Sequence, residues 1–139
     1  RIEIKGKMGF LNLLPSTYQD VKKSCQAFDS DWFVDIMSFL VNAVPEKSQH
    51  AGIVIFEGKN AGGEDCIFIK IRRAVDFSGV DLRTGEDKIK ELFGDLYMGG
   101  GGHAGAVSFR VHRLEEKELL ARLENLFVFF NTAIKSNGN

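Results

Sequence analysis

The fold is decided by residues 52–73, GIVIFEGKNAGGEDCIFIKIRR, in which two apolar runs flank a turn rich in glycine. The first run, residues 53–56, is β-branched and too short for a helix, and residues 58–63 have the composition of a turn. In the second run, isoleucine alternates with Phe68, Lys70 and Arg72. This alternation predicts a strand with one apolar face and one face that carries cations. The two runs together predict a β-hairpin.

Helices are predicted on both sides of this hairpin. Before it, apolar residues at helical spacing predict one helix over residues 16–28 and a second over residues 29–44, which Pro45 is expected to end. After it, the same spacing predicts a short helix over residues 84–96 and a long C-terminal helix over residues 119–134. Each of these helices has an apolar face that must be buried against another element.

Two shorter alternating segments complete the set of strands. Residues 2–5 predict a short strand, and residues 107–112 predict a strand with one buried face. Residues 99–102 lie between the predicted short helix and this last strand, so we expect them to form a loop. Strands and helices that alternate along the chain predict an α+β fold with α/β-type layers, in which helices cover a small mixed β-sheet in a single domain.

Composition supports one folded domain. A chain of 139 residues is long enough to bury a substantial core, and 44% hydrophobic and 27% charged residues are typical of globular proteins. The formal net charge of −1 provides no global positive field, so any anion site must be local. Cys25 and Cys66 lack zinc-ligand spacing and are interpreted as core thiols. No segment resembles a signal peptide or a membrane span, and we therefore expect a cytoplasmic protein with no membrane partner.

A run of glycines that ends in a histidine stands out from the rest of the chain. Its members are Gly99, Gly100, Gly101, Gly102 and His103. Each ordered glycine costs roughly 0.5–1 kcal/mol relative to alanine, so four in a row indicate a compensating role. We interpret them as a concave row of backbone N–H groups that holds an anion, with the histidine at its rim. A flexible connector is the alternative, and His50 and His112 are interpreted as solvated side chains.

The glycine run fits neither standard phosphate-binding loop. It lacks the Lys-Ser/Thr ending of a P-loop. It also precedes a predicted strand, whereas the dinucleotide-binding fingerprint opens a helix. Both of these classes of nucleotide-binding protein are therefore disfavoured.

A family resemblance rests on residues 99–106, GGGGHAGA, on the helical sequence IKELF at residues 89–93, and on the strand and long helix that follow. With these segments the chain resembles the C-terminal DHH-associated domain of DHH-family phosphoesterases. That family includes RecJ-type exonucleases, nanoRNA/pAp phosphatases and cyclic-dinucleotide phosphodiesterases. The resemblance assigns residues 29–139 to the substrate-binding domain. It assigns residues 1–28 to a lead-in strand and helix, which could link to a missing N-terminal catalytic domain.

The resemblance implies one half of an enzyme. In the family, an N-terminal domain with an Asp-His-His motif holds two manganese ions, and the C-terminal domain closes over the substrate. No Asp-His-His occurs in this sequence, so no cofactor is expected in this chain and Mn²⁺ is expected in the missing catalytic domain. The implied partners are that domain and a nucleotide or short oligonucleotide, which the manganese domain would hydrolyse.

The resemblance also implies roles for individual residues. The four glycines would form a backbone cradle for phosphate or sugar, and His103 would donate or accept a hydrogen bond near phosphate or base. Arg72 would be the cation, because its planar fork binds phosphate oxygens in pairs. Lys70 and Arg73 replace serines of the family pattern, and they could be further substrate-binding cations or part of a solvated strand face. The segment after His103 also departs from the family pattern, which leaves the identity of the substrate open.

Two other interpretations belong to different functional classes. The chain could be a stand-alone module that senses a nucleotide without hydrolysing it. It could instead be an oligomerisation module, in which an apolar face of the terminal helix forms a homodimer. Under the leading interpretation the parent protein is a phosphodiesterase or phosphatase, and this chain alone is inactive.

Overall fold

A computed structural model describes residues 2–14 and 30–136 of the chain, with side chains over residues 2–14 and 39–135. The described residues form six strands and three α-helices. In chain order these are β1 (Glu3–Lys5), β2 (Met8–Asn12), α1 (Ser30–Ser48), β3 (Ala51–Lys59), β4 (Asp65–Arg73), α2 (Gly85–Phe93), β5 (Tyr97–His103), β6 (Ala106–His112) and α3 (Glu116–Ser136). Two short 3-10 helices, Leu82–Thr84 and Gly94–Leu96, flank α2.

The six strands form one mixed sheet in the order β1-β2-β3-β4-β6-β5. Strands β2 and β3 are parallel, and every other neighbouring pair is antiparallel. Helix α1 lies between the two parallel strands in sequence, as a parallel connection requires. The predicted hairpin is confirmed as β3 and β4, in which Ile53 lies opposite Ile71 and Ile55 lies opposite Ile69. The α+β layers and the single small domain are confirmed with it.

Helices α2 and α3 cover one face of the sheet and form the main core with it. The predicted apolar stripe of α3 lies in this core, where Leu119, Leu123, Leu126 and Phe130 have 0% of their surface exposed. Full burial of such side chains contributes about 1.5–3 kcal/mol each. Gly85 lets α2 approach α3 closely, because a Cβ atom at this position would lie 2.5 Å from the Phe130 ring.

Helix α1 covers part of the opposite face, over β2 and β3. Val44 packs there in a smaller cluster with Leu11, Leu13 and Val54. Gly52 allows the helix to lie directly on β3, because a Cβ atom at this position would lie 2.7 Å from Cγ1 of Val44. Helix α1 also contacts β4, and within residues 30–136 no other α-helix packs on this face.

The prediction that Pro45 ends α1 was wrong, because the helix continues to Ser48. Proline removes its own N–H donor and restricts the residue before it, but it leaves the following residues able to donate. In α1 the backbone N–H of Gln49 donates to the Pro45 carbonyl oxygen at 2.9 Å, and the Ser48 hydroxyl donates to the same oxygen at 3.1 Å. These bonds close one more turn after the proline.

Some predictions fall outside the described residues. The helix predicted over residues 16–28 lies there, and so does Cys25. The prediction of a core thiol is confirmed for Cys66, which is free and buried. Within the described ranges, none of the helices is long and apolar enough to cross a membrane.

Candidate functional site

The glycine run forms a β-strand, so the prediction of a loop between helix and strand was wrong. Residues 99–103 make up most of β5, which pairs in antiparallel register with β6 at the edge of the sheet. The alternative of a flexible connector was wrong for the same reason. An edge strand presents alternate N–H groups on its open side, so the proposed anion cradle would be an open strand edge and not a loop.

The backbone conformation explains why these residues are glycines. Their φ angles are +110° at Gly99 and between +154° and +158° at the next three positions, a region that side chains disfavour. At Gly100, an added Cβ atom would collide with the Ser108 carbonyl oxygen and lie 2.7 Å from the Cα atom of Phe109. At Gly101, by contrast, no atom lies within 4 Å of the added Cβ position. The four glycines therefore let β5 lie close against β6, and they place no side chains on either face of β5.

Strand register brings the predicted site residues onto the face that α1 only partly covers. Arg72 lies opposite Ala106, which lies opposite His103. Arg72 and His103 therefore belong to one cross-strand row and are two strands apart, or roughly 10 Å. Two further rows follow on the same face: Lys70 with Ser108 and Gly101, then Phe68 with Arg110 and Gly99. We call this surface, formed by Phe68, Lys70, Arg72, His103, Ser108 and Arg110, the cationic face.

Three positive side chains share the cationic face. Burial, and after it the charges of Arg72 and Arg110, lower the pKa of Lys70 below its ordinary value of 10.5. No carboxylate among the described residues pairs with any of the three cations. The Nε atom of Arg72 is buried and has no hydrogen-bond partner in the described part of the chain. The arrangement is electrostatically unfavourable by itself, and a bound anion would relieve it.

His103 is held at the end of the cationic face by a tight turn. Its Nδ1 atom accepts a hydrogen bond from the Gly105 N–H at 3.2 Å, which leaves Nε2 as the donor of the neutral ring. The turn is fixed to the rest of the molecule by two backbone bonds of 2.9 Å, from the Arg73 N–H to the Gly105 oxygen and from the Leu82 N–H to the Ala104 oxygen. The imidazole is exposed, whereas these bonds anchor the backbone of the turn.

The start of β5 is anchored as well. The Tyr97 hydroxyl donates to Oε2 of Glu86 in α2 at 3.0 Å. Burial and this bond raise the pKa of Tyr97 to about 12. The glycine strand thus runs between two fixed ends, the Tyr97 side chain and the turn after His103.

The two additional cations of the sequence prediction have different positions. Lys70 lies in the middle of the cationic face, where its Nζ atom is 3.4 Å from the Ser108 hydroxyl. Arg73 follows Arg72 and so points to the other side of the strand. Its guanidinium donates to the Val80 carbonyl oxygen at 2.8 Å. We therefore assign Lys70 to the candidate site and a structural role to Arg73.

Sequence reasoning missed Arg110 and Ser108 as site residues. The alternation over residues 107–112 already indicated a polar face, but it could not indicate which strand lies beside it. Only the pairing of β6 with β4 brings Ser108 opposite Lys70 and Arg110 opposite Phe68.

A cleft of about 270 Å³ lies at the Arg72 end of the face, where the last turns of α1 meet the end of β4. This volume is close to the lower end of the range for small-molecule pockets, roughly 300 Å³. Within the cleft, Oε2 of Glu46 accepts a hydrogen bond from the Val75 N–H at 2.6 Å. The lining residues are Asn42, Glu46, Arg72, Arg73, Ala74, Val75, Phe77 and Gly105.

Neither a metal site nor a similarity to known proteins adds a residue to the candidate site. Among the side chains of residues 2–14 and 39–135, no group of three or more His, Cys, Asp or Glu could hold a metal ion. No protein-family model matches the chain, and no curated protein matches it. The resemblance to the DHH-associated domain therefore rests on the residues quoted above and stays a prediction.

Proposed function

We propose that this chain is the substrate-binding domain of a manganese-dependent DHH-type phosphoesterase, and that its cationic face binds the phosphate of a nucleotide or short oligonucleotide. The observation that carries the proposal is the cluster of Lys70, Arg72 and Arg110, which have no carboxylate partner among the described residues. Cations that serve only solubility are usually solvated or paired. Three cations on one face, around a central lysine whose pKa is lowered by burial and then by the other two charges, favour a site for an anion.

The donors around the cluster suit a phosphate group in particular. The Arg72 guanidinium can donate to two phosphate oxygens at once. Lys70 would contribute a point charge and Ser108 a hydroxyl, which lie 3.4 Å apart. His103 would complete the row from the edge strand with its Nε2–H. A phosphate has enough oxygens to accept from several of these groups together.

Hydrolysis would take place on a second domain. The resemblance implies that this domain holds manganese, which would supply an activated water for attack on phosphorus. The residues described here would bind the substrate, neutralise its charge and orient it towards that domain. The buried free thiol of Cys66 fits a reducing cytoplasm, where we place the protein.

Calorimetric titration with adenosine 5′-monophosphate and with adenosine tests the phosphate site. We expect the nucleotide to bind and adenosine to bind at least tenfold more weakly, because the cations recognise phosphate. The substitution Lys70→Gln should weaken nucleotide binding about tenfold, the loss of one hydrogen bond to a charged group. It should also raise the stability of the free protein by about 0.5 kcal/mol, because it removes repulsion between like charges.

Lys117→Gln is the matched control, since it removes the same charge from α3 on the other side of the sheet. It should change neither binding nor stability appreciably. The proposal would be wrong if adenosine bound as tightly as its monophosphate. It would also be wrong if Lys70→Gln and Lys117→Gln had equal effects on the affinity.

A further inference from the structure

Two phenylalanine rings lie at the end of the cationic face that is farther from Arg72. Phe56 in β3 is the direct cross-strand partner of Phe68 in β4. Their ring centroids are 5.1 Å apart and their planes differ by 14°, so the rings are stacked. Both side chains are half-buried, which leaves part of the pair accessible on this face.

Phe68 lies outside the buried clusters of residues 2–14 and 39–135. Phe56, by contrast, packs against the small cluster under α1. Gly58 makes room for the Phe68 ring, because a Cβ atom at this position would lie 2.8 Å from the ring atom Cε2. The absence of a side chain at Gly58 therefore provides the space that the Phe68 ring occupies.

Cations adjoin the aromatic pair. The Nζ atom of Lys70 lies 5.9 Å from the centroid of the Phe68 ring, and Arg110 is the cross-strand partner of Phe68 in β6. Aromatic rings beside cations on a sheet surface are the combination that binds single-stranded nucleic acid. The bases stack on the rings, and the backbone phosphates lie on the cations.

We infer that the Phe56–Phe68 pair is a stacking subsite for the base of a second nucleotide in a single-stranded oligonucleotide. This inference rests on the proposed function, since it takes the first phosphate to lie at Arg72 and His103. Arg72 and Phe68 are four positions apart in β4, or roughly 13 Å. A phosphate held by hydrogen bonds at one end of the face cannot reach the other end, so the ligand has at least two nucleotides. Arg110 lies in the row of Phe68, and Lys70 lies between this row and Arg72. These two cations would take the phosphate that links the two nucleotides.

The charge and shape of the face favour this ligand over two others. A polyanion without bases would use the three cations but would gain nothing from the stacked rings. An apolar peptide would use the rings but would leave Lys70, Arg72 and Arg110 without partners in a more buried setting, which costs free energy. A single-stranded oligonucleotide can bind to both parts of the face, with its phosphates on the cations and a base on the stacked rings.

Calorimetry with three unlabelled ligands tests the subsite: a mononucleotide, a 5′-phosphorylated dinucleotide, and the same dinucleotide with an abasic second position. We expect the intact dinucleotide to bind about tenfold more tightly than the abasic one, which is the contribution of one stacked base. The mononucleotide should bind more weakly than both, because it also lacks the linking phosphate. The substitution Phe68→Leu keeps an apolar side chain next to Phe56. It should weaken the intact dinucleotide about tenfold and leave the mononucleotide and the abasic ligand unchanged.

Phe39→Leu is the matched control, because Phe39 lies on α1 with 68% of its surface exposed. It should change none of the three affinities. The stacking subsite is refuted if the abasic dinucleotide binds as tightly as the intact one, a comparison that needs no variant. In that case mononucleotide binding would still support the proposed function. If no ligand binds to the wild-type chain, the proposed function fails and the subsite fails with it.

Discussion

Replacement of Arg72 by glutamine is expected to weaken the binding of adenosine 5′-monophosphate about 50-fold. The guanidinium is the donor best suited to phosphate on the cationic face, and its Nε has no partner in the described part of the chain. Loss of a hydrogen bond to a charged group costs about 1.5–3 kcal/mol, which corresponds to a factor of about 10–150 in affinity. Arg72→Lys should recover only part of the loss, because lysine keeps the charge and lacks the fork. Calorimetric titration measures each of these affinities.

The stability of the Arg72→Gln variant separates a binding role from a structural one. If Arg72 serves to bind an anion, its removal should leave the free protein as stable as the wild type or slightly more stable, because repulsion with Lys70 is relieved. Urea unfolding of the free protein checks this expectation. A variant that keeps its affinity for the nucleotide but unfolds at a lower urea concentration would show that Arg72 supports the fold instead.

Gly100→Ala is expected to have the largest effect on stability, a loss of about 3 kcal/mol or more. The added methyl group would collide with the Ser108 carbonyl oxygen and lie 2.7 Å from the Cα atom of Phe109, both backbone atoms of β6. Backbone atoms within a sheet cannot move aside as a side-chain end can. Overpacking costs about 1–3 kcal/mol, and an unfavourable φ adds about 1–3 kcal/mol. Urea unfolding measures the change in the free energy of unfolding.

Gly101→Ala is the control for this prediction. Gly101 has nearly the same φ, +158° against +154°, but no atom lies within 4 Å of the added Cβ position. We expect this variant to lose only the conformational part of the cost, about 1–3 kcal/mol. If the two variants were equally stable, β5 would not lie against β6 as described here. The difference between them measures the contact between the two strands.

The sequence predicted correctly those elements in which apolar residues recur at a regular spacing. Isoleucine at every second position of β4 predicted both the strand and its two faces, and the pairing of Ile69 with Ile55 confirms the buried one. The apolar stripe of α3 predicted its buried side, which includes Leu123 and Phe130. The spacing of apolar residues was sufficient to predict these two elements, because each has one face against the core.

Other elements gave misleading signals for physical reasons. Strand β2, Met8–Asn12, is buried along most of its length, so its sequence does not alternate. The glycines of β5 predicted a loop because glycine has a low preference for strands, and the contact that requires glycine is made by β6. Arg110 joined the site only through the pairing of β6 with β4. Each of these features depends on a neighbouring strand, which local sequence does not specify.

Nitrogen–proton NMR spectra recorded during titration with adenosine 5′-monophosphate test the phosphate site on the cationic face most directly. We predict that the shifted signals are the amides of residues 99–103 and the Nε–H of Arg72, and that adenosine without phosphate shifts them far less. Signals from α3, on the other side of the sheet, should stay in place. Shifts that are confined to α3, or that adenosine produces equally, would contradict the assignment of the phosphate site.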